Sequence, residues 1–232
     1  MALLVGAFLI SLIPSVALYL WLKDHMNGGD PYKRGCRRAL AYGALAGGPV
    51  LLVTFVLRLV WGLAGLGAAN PIVDAAYKDI VSIALSEELC KFLMFRRVLA
   101  EEDRSVSWLE MIALMTIVGI GFGLMEDIPY ALMTNAGQML VRGITVGHGS
   151  YGFIMGYLMG KAKATGDNKW AVLGFVIPWV MHGLYDFGLN EAVDAYFLPG
   201  FLSVSLAAAD LAIIIFMIFF MRKARNDEKY TG

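Results

Sequence analysis

Apolar runs long enough to cross a bilayer recur along the whole of this chain, and they leave little room for any other class of fold. A transmembrane α-helix needs about 20 predominantly apolar residues to cross ~30 Å of hydrocarbon. Apolar length and charged flanks place such helices near 3–22, 39–63, 76–95, 108–134, 141–160, 170–190 and 197–221. Composition agrees: 59% of the 232 residues are hydrophobic and mean hydropathy is +0.66, where soluble domains are roughly 45–50% apolar. The expected fold is all-α, a polytopic membrane helical bundle of about seven transmembrane helices, forming a single domain over 1–232. The N-terminus has no basic n-region and no small-residue cleavage site, so the first run reads as a retained helix rather than a signal peptide.

Local signals place the loops. Gly28-Gly29 and Pro31 mark the first and Asn70-Pro71 the second, while Ser107 and Glu110 form a capping box opening the fourth helix. The 19 basic and 19 acidic residues cancel, which argues against a nucleic-acid partner. Their placement is more informative than their sum. Lys23, Lys33, Arg34, Arg37 and Arg38 follow the first span; Arg96, Arg97 and Arg104 the third; Lys161, Lys163 and Lys169 the fifth; Arg222, Lys223, Arg225 and Lys229 the last. With seven spans all of these lie on one side, and the positive-inside rule puts the N-terminus outside and the C-terminus in the cytoplasm. Cys36 and Cys90 have no metal-type spacing and read as free thiols.

An ionisable side chain at mid-bilayer costs at least ~2.5–3.5 kcal/mol on insertion scales, so its presence requires a partner, a water-filled cavity or a task. The third span carries Glu87, Glu88 and Lys91, the fourth Phe122, Glu126 and Asp127 before Pro129, the fifth His148, and the sixth His182 and Asp186. Pairs at i, i+4 share a helix face, and all these groups fall between the bilayer centre and its outer face, at depths where four helices can contribute to one cavity. Two imidazoles with one or two carboxylates suit Zn²⁺, which leaves a position for water. A separate carboxylate then serves as general base, and Lys91 holds a neighbouring glutamate ionised. Neither HExxH nor GxSxG is present, which removes the usual soluble metalloprotease and serine hydrolase arrangements.

Each member also has a structural reading. Glu87 and Lys91 suit a buried ion pair, a lone intramembrane His is often an interhelical hydrogen-bond donor, and Gly152, Gly156 and Gly160 at steps of four most simply mean close helix packing. Asp210 reads as structural or interfacial and His25 as solvated surface. The conjunction of acids and histidines is harder to explain structurally than any one of them.

Glu87-Glu88-x-x-Lys91, Phe122-x-x-x-Glu126, Gly147-His148 and His182-x-x-x-Asp186, in this order over about 80–190, resemble the motifs of the PrsW family of membrane proteases, related to the type II CAAX prenyl endopeptidases. The resemblance implies that Glu87 and Glu88 include the catalytic base, that Glu126, His148 and His182 bind metal or water with Asp186 as ligand or support, and that Lys91 and Phe122 assist. Glu126 stands where the prenyl endopeptidases usually carry His, and Asp127 where the PrsW pattern carries Asn. The implied activity is cleavage of a single-pass membrane protein in the lipid bilayer, with site-1 cleavage of anti-sigma factors as the family's association. Zn²⁺ is the expected cofactor, with a metal-free glutamate mechanism as the other version. The competing classes are a prenyl-protein processing protease, a proton- or ion-coupled transporter and a non-catalytic scaffold.

Overall fold

The computed structural model describes residues 2–26, 29–67, 70–102, 105–194 and 200–231. Gly28, Arg104 and the first positions of the last expected span, 197–199, lie outside them. All regular structure among the described residues is helical, and the chain is an all-α membrane bundle. The first three helices are α1 (Ala2–His25), α2 (Gly29–Leu45) and α3 (Gly47–Leu63). The next run is α4 (Pro71–Ala76), a π-helical stretch over Tyr77–Ala84, and α5 (Leu85–Ala100). Then come α6 (Trp108–Met133), α7 (Ala136–Thr145), α8 (Gly147–Thr165), α9 (Lys169–Phe187), the short α10 (Glu191–Asp194), α11 (Phe201–Ala224) and α12 (Glu228–Thr231). Five helical runs are long and apolar enough to cross a membrane: Leu3–His25, Gly29–Leu63, Trp108–Met133, Lys169–Phe187 and Phe201–Ala224. The two other expected spans, 76–95 and 141–160, are the ones whose apolar character is interrupted by Glu87, Glu88, Lys91, Arg142 and His148.

The second expected span begins earlier than its apolar content implies. Helix α2 continues down to Gly29 because a charged but amphipathic stretch extends it, burying Tyr32, Gly35, Cys36, Ala39 and Gly43 on α6. Asn70 accepts hydrogen bonds from the Ile72 and Val73 amides at 2.9 and 3.3 Å, with Pro71 at the first helical position, so α4 starts where Asn-Pro signals a start. The π-helical stretch then shifts the side-chain register just before Glu87, as such stretches commonly do near functional sites.

Helix α6 is the axis of the bundle, buried from Trp108 through Phe122. Its capping box forms as expected: Ser107 Oγ accepts from the Glu110 amide at 3.2 Å while Glu110 accepts from the Ser107 amide at 3.0 Å. Helix α8 lies against it through its glycines. A Cβ at Gly152 would sit 2.6 Å from the Met115 carbonyl oxygen, and one at Gly156 2.7 Å from that of Met111, so backbones meet where a side chain has no room. The outward faces are apolar, with Leu52, Leu63 and Leu132 at 66, 80 and 84% exposure, as suits surface facing lipid.

The fifth expected span is not one helix. Helix α7 ends at Val146, whose φ of 46° is left-handed and unfavourable for a β-branched residue, and α8 starts afresh at Gly147. His148 therefore stands in the first turn of a half-helix instead of two turns inside a continuous one. The positive end of the α8 dipole is brought to membrane depth, a device known from discontinuous transporter helices. His25, expected as solvated, is half-buried with its ring stacked on Trp21 at 4.3 Å, because the aromatic one turn earlier on the same helix face covers it. Cys36 and Cys90 are both free and buried.

Candidate active site

The acidic and histidine motifs of four helices converge. Glu87 and Glu88 enter from α5, Glu126 and Asp127 from α6, His148 from the start of α8, and His182 and Asp186 from α9. Glu88 is fully buried and Lys91 is 1% exposed. The Lys91 ammonium, one turn on, donates to Glu88 Oε1 at 2.6 Å and to His148 Nδ1 at 2.9 Å. Its charge also faces the Phe122 ring at 4.7 Å, and that ring meets His148 edge-on at 4.9 Å. Phe122 thus packs the Lys91 and His148 side chains into one orientation.

Both imidazoles are braced from behind by a carboxylate. His182 Nδ1 lies 2.9 Å from Glu88 Oε1 and His148 Nε2 lies 2.6 Å from Glu126 Oε2. With Lys91 donating to His148 Nδ1, the proton of His148 sits on Nε2 and is given to Glu126; His182 gives its Nδ1 proton to Glu88. Carboxylates in this position fix the tautomer and ring orientation of metal-binding and catalytic histidines. The other nitrogen of His182 faces Asp186 Oδ2 at 3.3 Å and Glu87 Oε2 at 3.7 Å. A ring nitrogen with two carboxylate oxygens needs a proton or a cation among them.

Two further observations test whether a metal fits here. Glu87, His148 and His182 offer ligand atoms that all lie within 4.8 Å of one another. Oε2 of Glu87 and Oε2 of Glu88 are buried with no hydrogen-bond partner, although buried carboxylate oxygens are normally satisfied. The donor types are those Zn²⁺ takes, so the residues present fit a divalent cation. A cavity of about 40 Å³ between α6, α8 and α9, lined by Glu126, His148, His182 and Asp186, has room for two or three waters at the ~10–15 Å³ each requires.

These observations are joined by a family match: the description "PrsW family intramembrane metalloprotease" fits residues 35–222. The chain belongs to this family. Among its relatives, Protease PrsW of Oceanobacillus iheyensis is 25% identical over 221 residues, covering 93% of both chains. Protease PrsW of Geobacillus kaustophilus is 28% identical over 75% of each, and that of Bacillus subtilis strain 168 is 25% identical over 80% of this chain and 84% of its own. No solved structure matches. As a PrsW family member the protein is a membrane protease.

In this PrsW chain the residues singled out from sequence, Glu87, Glu88, Lys91, Phe122, Glu126, His148, His182 and Asp186, all meet in one centre. Others escaped the sequence reading. Arg142 on α7 pairs with Glu126, and its Nε donates to Asp127 Oδ1 at 2.6 Å. The available signal was an arginine on the side of the bilayer poor in basic residues. Tyr151 stacks on His182 at 5.2 Å between ring centroids and donates to Asp210 at 3.2 Å, while Ser150 donates to the same carboxylate at 2.6 Å. Asp210 is 1% exposed and ties α11 to the first turn of α8. Nothing in the sequence linked it to residues 60 positions away.

Proposed function

We propose that the protein is an endopeptidase that hydrolyses a peptide bond of a membrane protein substrate, with Glu87 as general base and with His148 and His182 holding a divalent cation, Zn²⁺ by donor type, His148 through the Nδ1 lone pair that accepts from Lys91 when no cation is bound and His182 through Nε2. The observation that carries this is the convergence of Glu87, His148 and His182 donor atoms within 4.8 Å around a carboxylate oxygen that has no partner. Glu87 borders a groove open towards the lipid, whereas Glu88 is committed to Lys91 and His182. On this reading Glu87 meets the substrate and Glu88 orients His182. Glu126, neutralised by Arg142, orients His148 in the same way, and Asp186 stands beside His182 Nε2 at 3.3 Å.

When bound, Zn²⁺ supplies a water acidified towards a pKa of ~7 and Lewis acidity at the scissile carbonyl. The remaining chemistry belongs to the chain. Glu87 takes the proton of the attacking water and passes it to the leaving amine. Glu88, held by Lys91, accepts from His182 Nδ1 and so leaves Nε2 as the nitrogen presented to the site. The packed α6–α8 interface limits bulk water to the small polar cavity, so the field of these groups acts at low dielectric.

The test uses the full chain in detergent or nanodiscs with candidate single-pass substrates, including an anti-sigma factor, the substrate class implied by the family resemblance. Cleavage is expected, with loss on chelation and recovery on adding Zn²⁺. Full activity in stoichiometrically metal-free protein rules out the metal version and leaves a glutamate mechanism through hydrogen bonds alone. We also propose that the N-terminus faces outside and the C-terminus the cytoplasm, on the distribution of Lys and Arg. A reporter fused after Tyr230 is expected to read as cytoplasmic; an extracytoplasmic reading overturns the orientation.

A further inference from the structure

Two cavities reach the buried carboxylates, and they share Glu126. One is the small polar cavity described above. The other, about 580 Å³ in volume, lies between α3 and the α5–α6 pair, with Leu51, Phe55 and Ile83 on its walls, Glu87 and Glu126 at one end and Arg58 towards the other. Its size is that of a ligand site, commonly ~300–1,000 Å³, and it admits a few residues of peptide.

The register of α3 gives the groove a scale. Thr54 Oγ1 donates to the Ser82 carbonyl at 3.1 Å, and Tyr77 donates to the Leu57 carbonyl at 3.0 Å, so α3 runs antiparallel to the run containing α5. Val50 lines the same groove as Glu87, and Arg58 is eight residues further along α3. At 1.5 Å per residue that is about 12 Å, which an extended chain covers in about four residues at ~3.3 Å each.

Arg58 is exposed and has no ion pair among the described residues, because the nearby acids are committed elsewhere. Asp74 pairs with Lys78 at 2.6 Å and accepts from Trp61 at 2.9 Å, and Asp79 accepts from Asn190 at 2.8 Å. A cation set on an apolar groove that ends at Glu87 matches a peptide carrying a carboxylate. A lipid acyl chain in the same place would lay hydrocarbon on two ionisable acids and leave Glu87 Oε2 without a donor. A peptide brings a backbone N–H at every residue, and its own polar backbone is tolerated at membrane depth only where protein groups such as Thr54 and Tyr130 line the path.

We propose that this groove receives the substrate as an extended segment of a membrane-spanning chain, and that Arg58 selects a substrate Asp or Glu about four residues from the scissile bond, on the side facing the Leu63 end of α3. The inference rests on the assignment of Glu87 to the reacting centre.

The experiment uses the full chain and synthetic single-span peptides of Leu/Ala composition in which one Asp is moved a residue at a time. A photo-crosslinker at Phe55 in a Glu87→Gln background reads binding without turnover, and wild-type protein reads cleavage. The expected result is Asp-dependent capture, a cleavage point that moves with the Asp, and a fall in kcat/KM of at least about tenfold for Arg58→Glu, reversed when the Asp of the peptide is replaced by Lys. A cleavage point indifferent to the Asp, an equal effect of Arg58→Glu on Asp and Lys peptides, or capture of phospholipid alone overturns the groove assignment and leaves the protease reading standing. Asp-dependent capture without cleavage supports the groove and overturns the catalytic assignment of Glu87.

Discussion

Glu87→Gln is expected to lower turnover by about 10²–10⁴-fold, the usual contribution of a positioned general base, while the protein stays inserted and, on the proposed assignment, keeps a bound cation. The amide has nearly the volume of the carboxylate, so the packing around a residue that is 5% exposed is preserved and the lost function is proton transfer. On the proposed assignment metal retention follows because His148 and His182 remain. His182→Ala is expected to behave differently: it removes a cation-holding nitrogen and strands Glu88 beside Lys91, so metal content and turnover fall together. The decisive measurement is metal per protein for both variants beside their cleavage rates. Loss of metal in Glu87→Gln would convert Glu87 from base to ligand, and normal cleavage in that variant would remove it from the reacting centre altogether.

Much of the fold was legible because the bilayer imposes length. Helices α1, α6, α9 and α11 lie close to the apolar runs that announced them, and the capping box at Ser107 and the Asn70-Pro71 start formed as read. Errors arose where helix and apolarity part company. Charged amphipathic residues extend α2 to Gly29, and a single left-handed Val146 divides the fifth span. Such a break is set by tertiary packing of α7 on α1 and α8 on α6 as much as by the local glycines, Gly143, Gly147 and Gly149. The site was legible through cost: buried acids and imidazoles are rare enough that their motifs stood out. Their partners did not stand out. Arg142 lies near a span boundary, where an arginine ordinarily reads as an interfacial anchor, and Asp210 acquires meaning only when α11 meets the first turn of α8.

Arg142 carries the second large effect. Its guanidinium pairs with Glu126 and donates from Nε to Asp127, with the Tyr130 ring 4.2 Å below, so one fixed fork serves two adjacent carboxylates on α6. Arg142→Met is expected to cost about 3–5 kcal/mol, the penalty for leaving buried charge uncompensated, and to appear as a large drop in thermal stability in detergent. Arg142→Lys should recover only part, since an ammonium is a point charge without the fork that reaches both acids. The triple variant Arg142→Met, Glu126→Gln, Asp127→Asn removes the stranded charges and is expected to regain most of the stability. Its activity should not return, because the neutral amide that replaces the Glu126 carboxylate no longer supplies the charged acceptor that sets the tautomer of His148. Recovery of both stability and cleavage in the triple variant would mean that the cluster only holds α7 against α6. Recovery of neither would mean that the guanidinium packs the half-helix for reasons other than its charge.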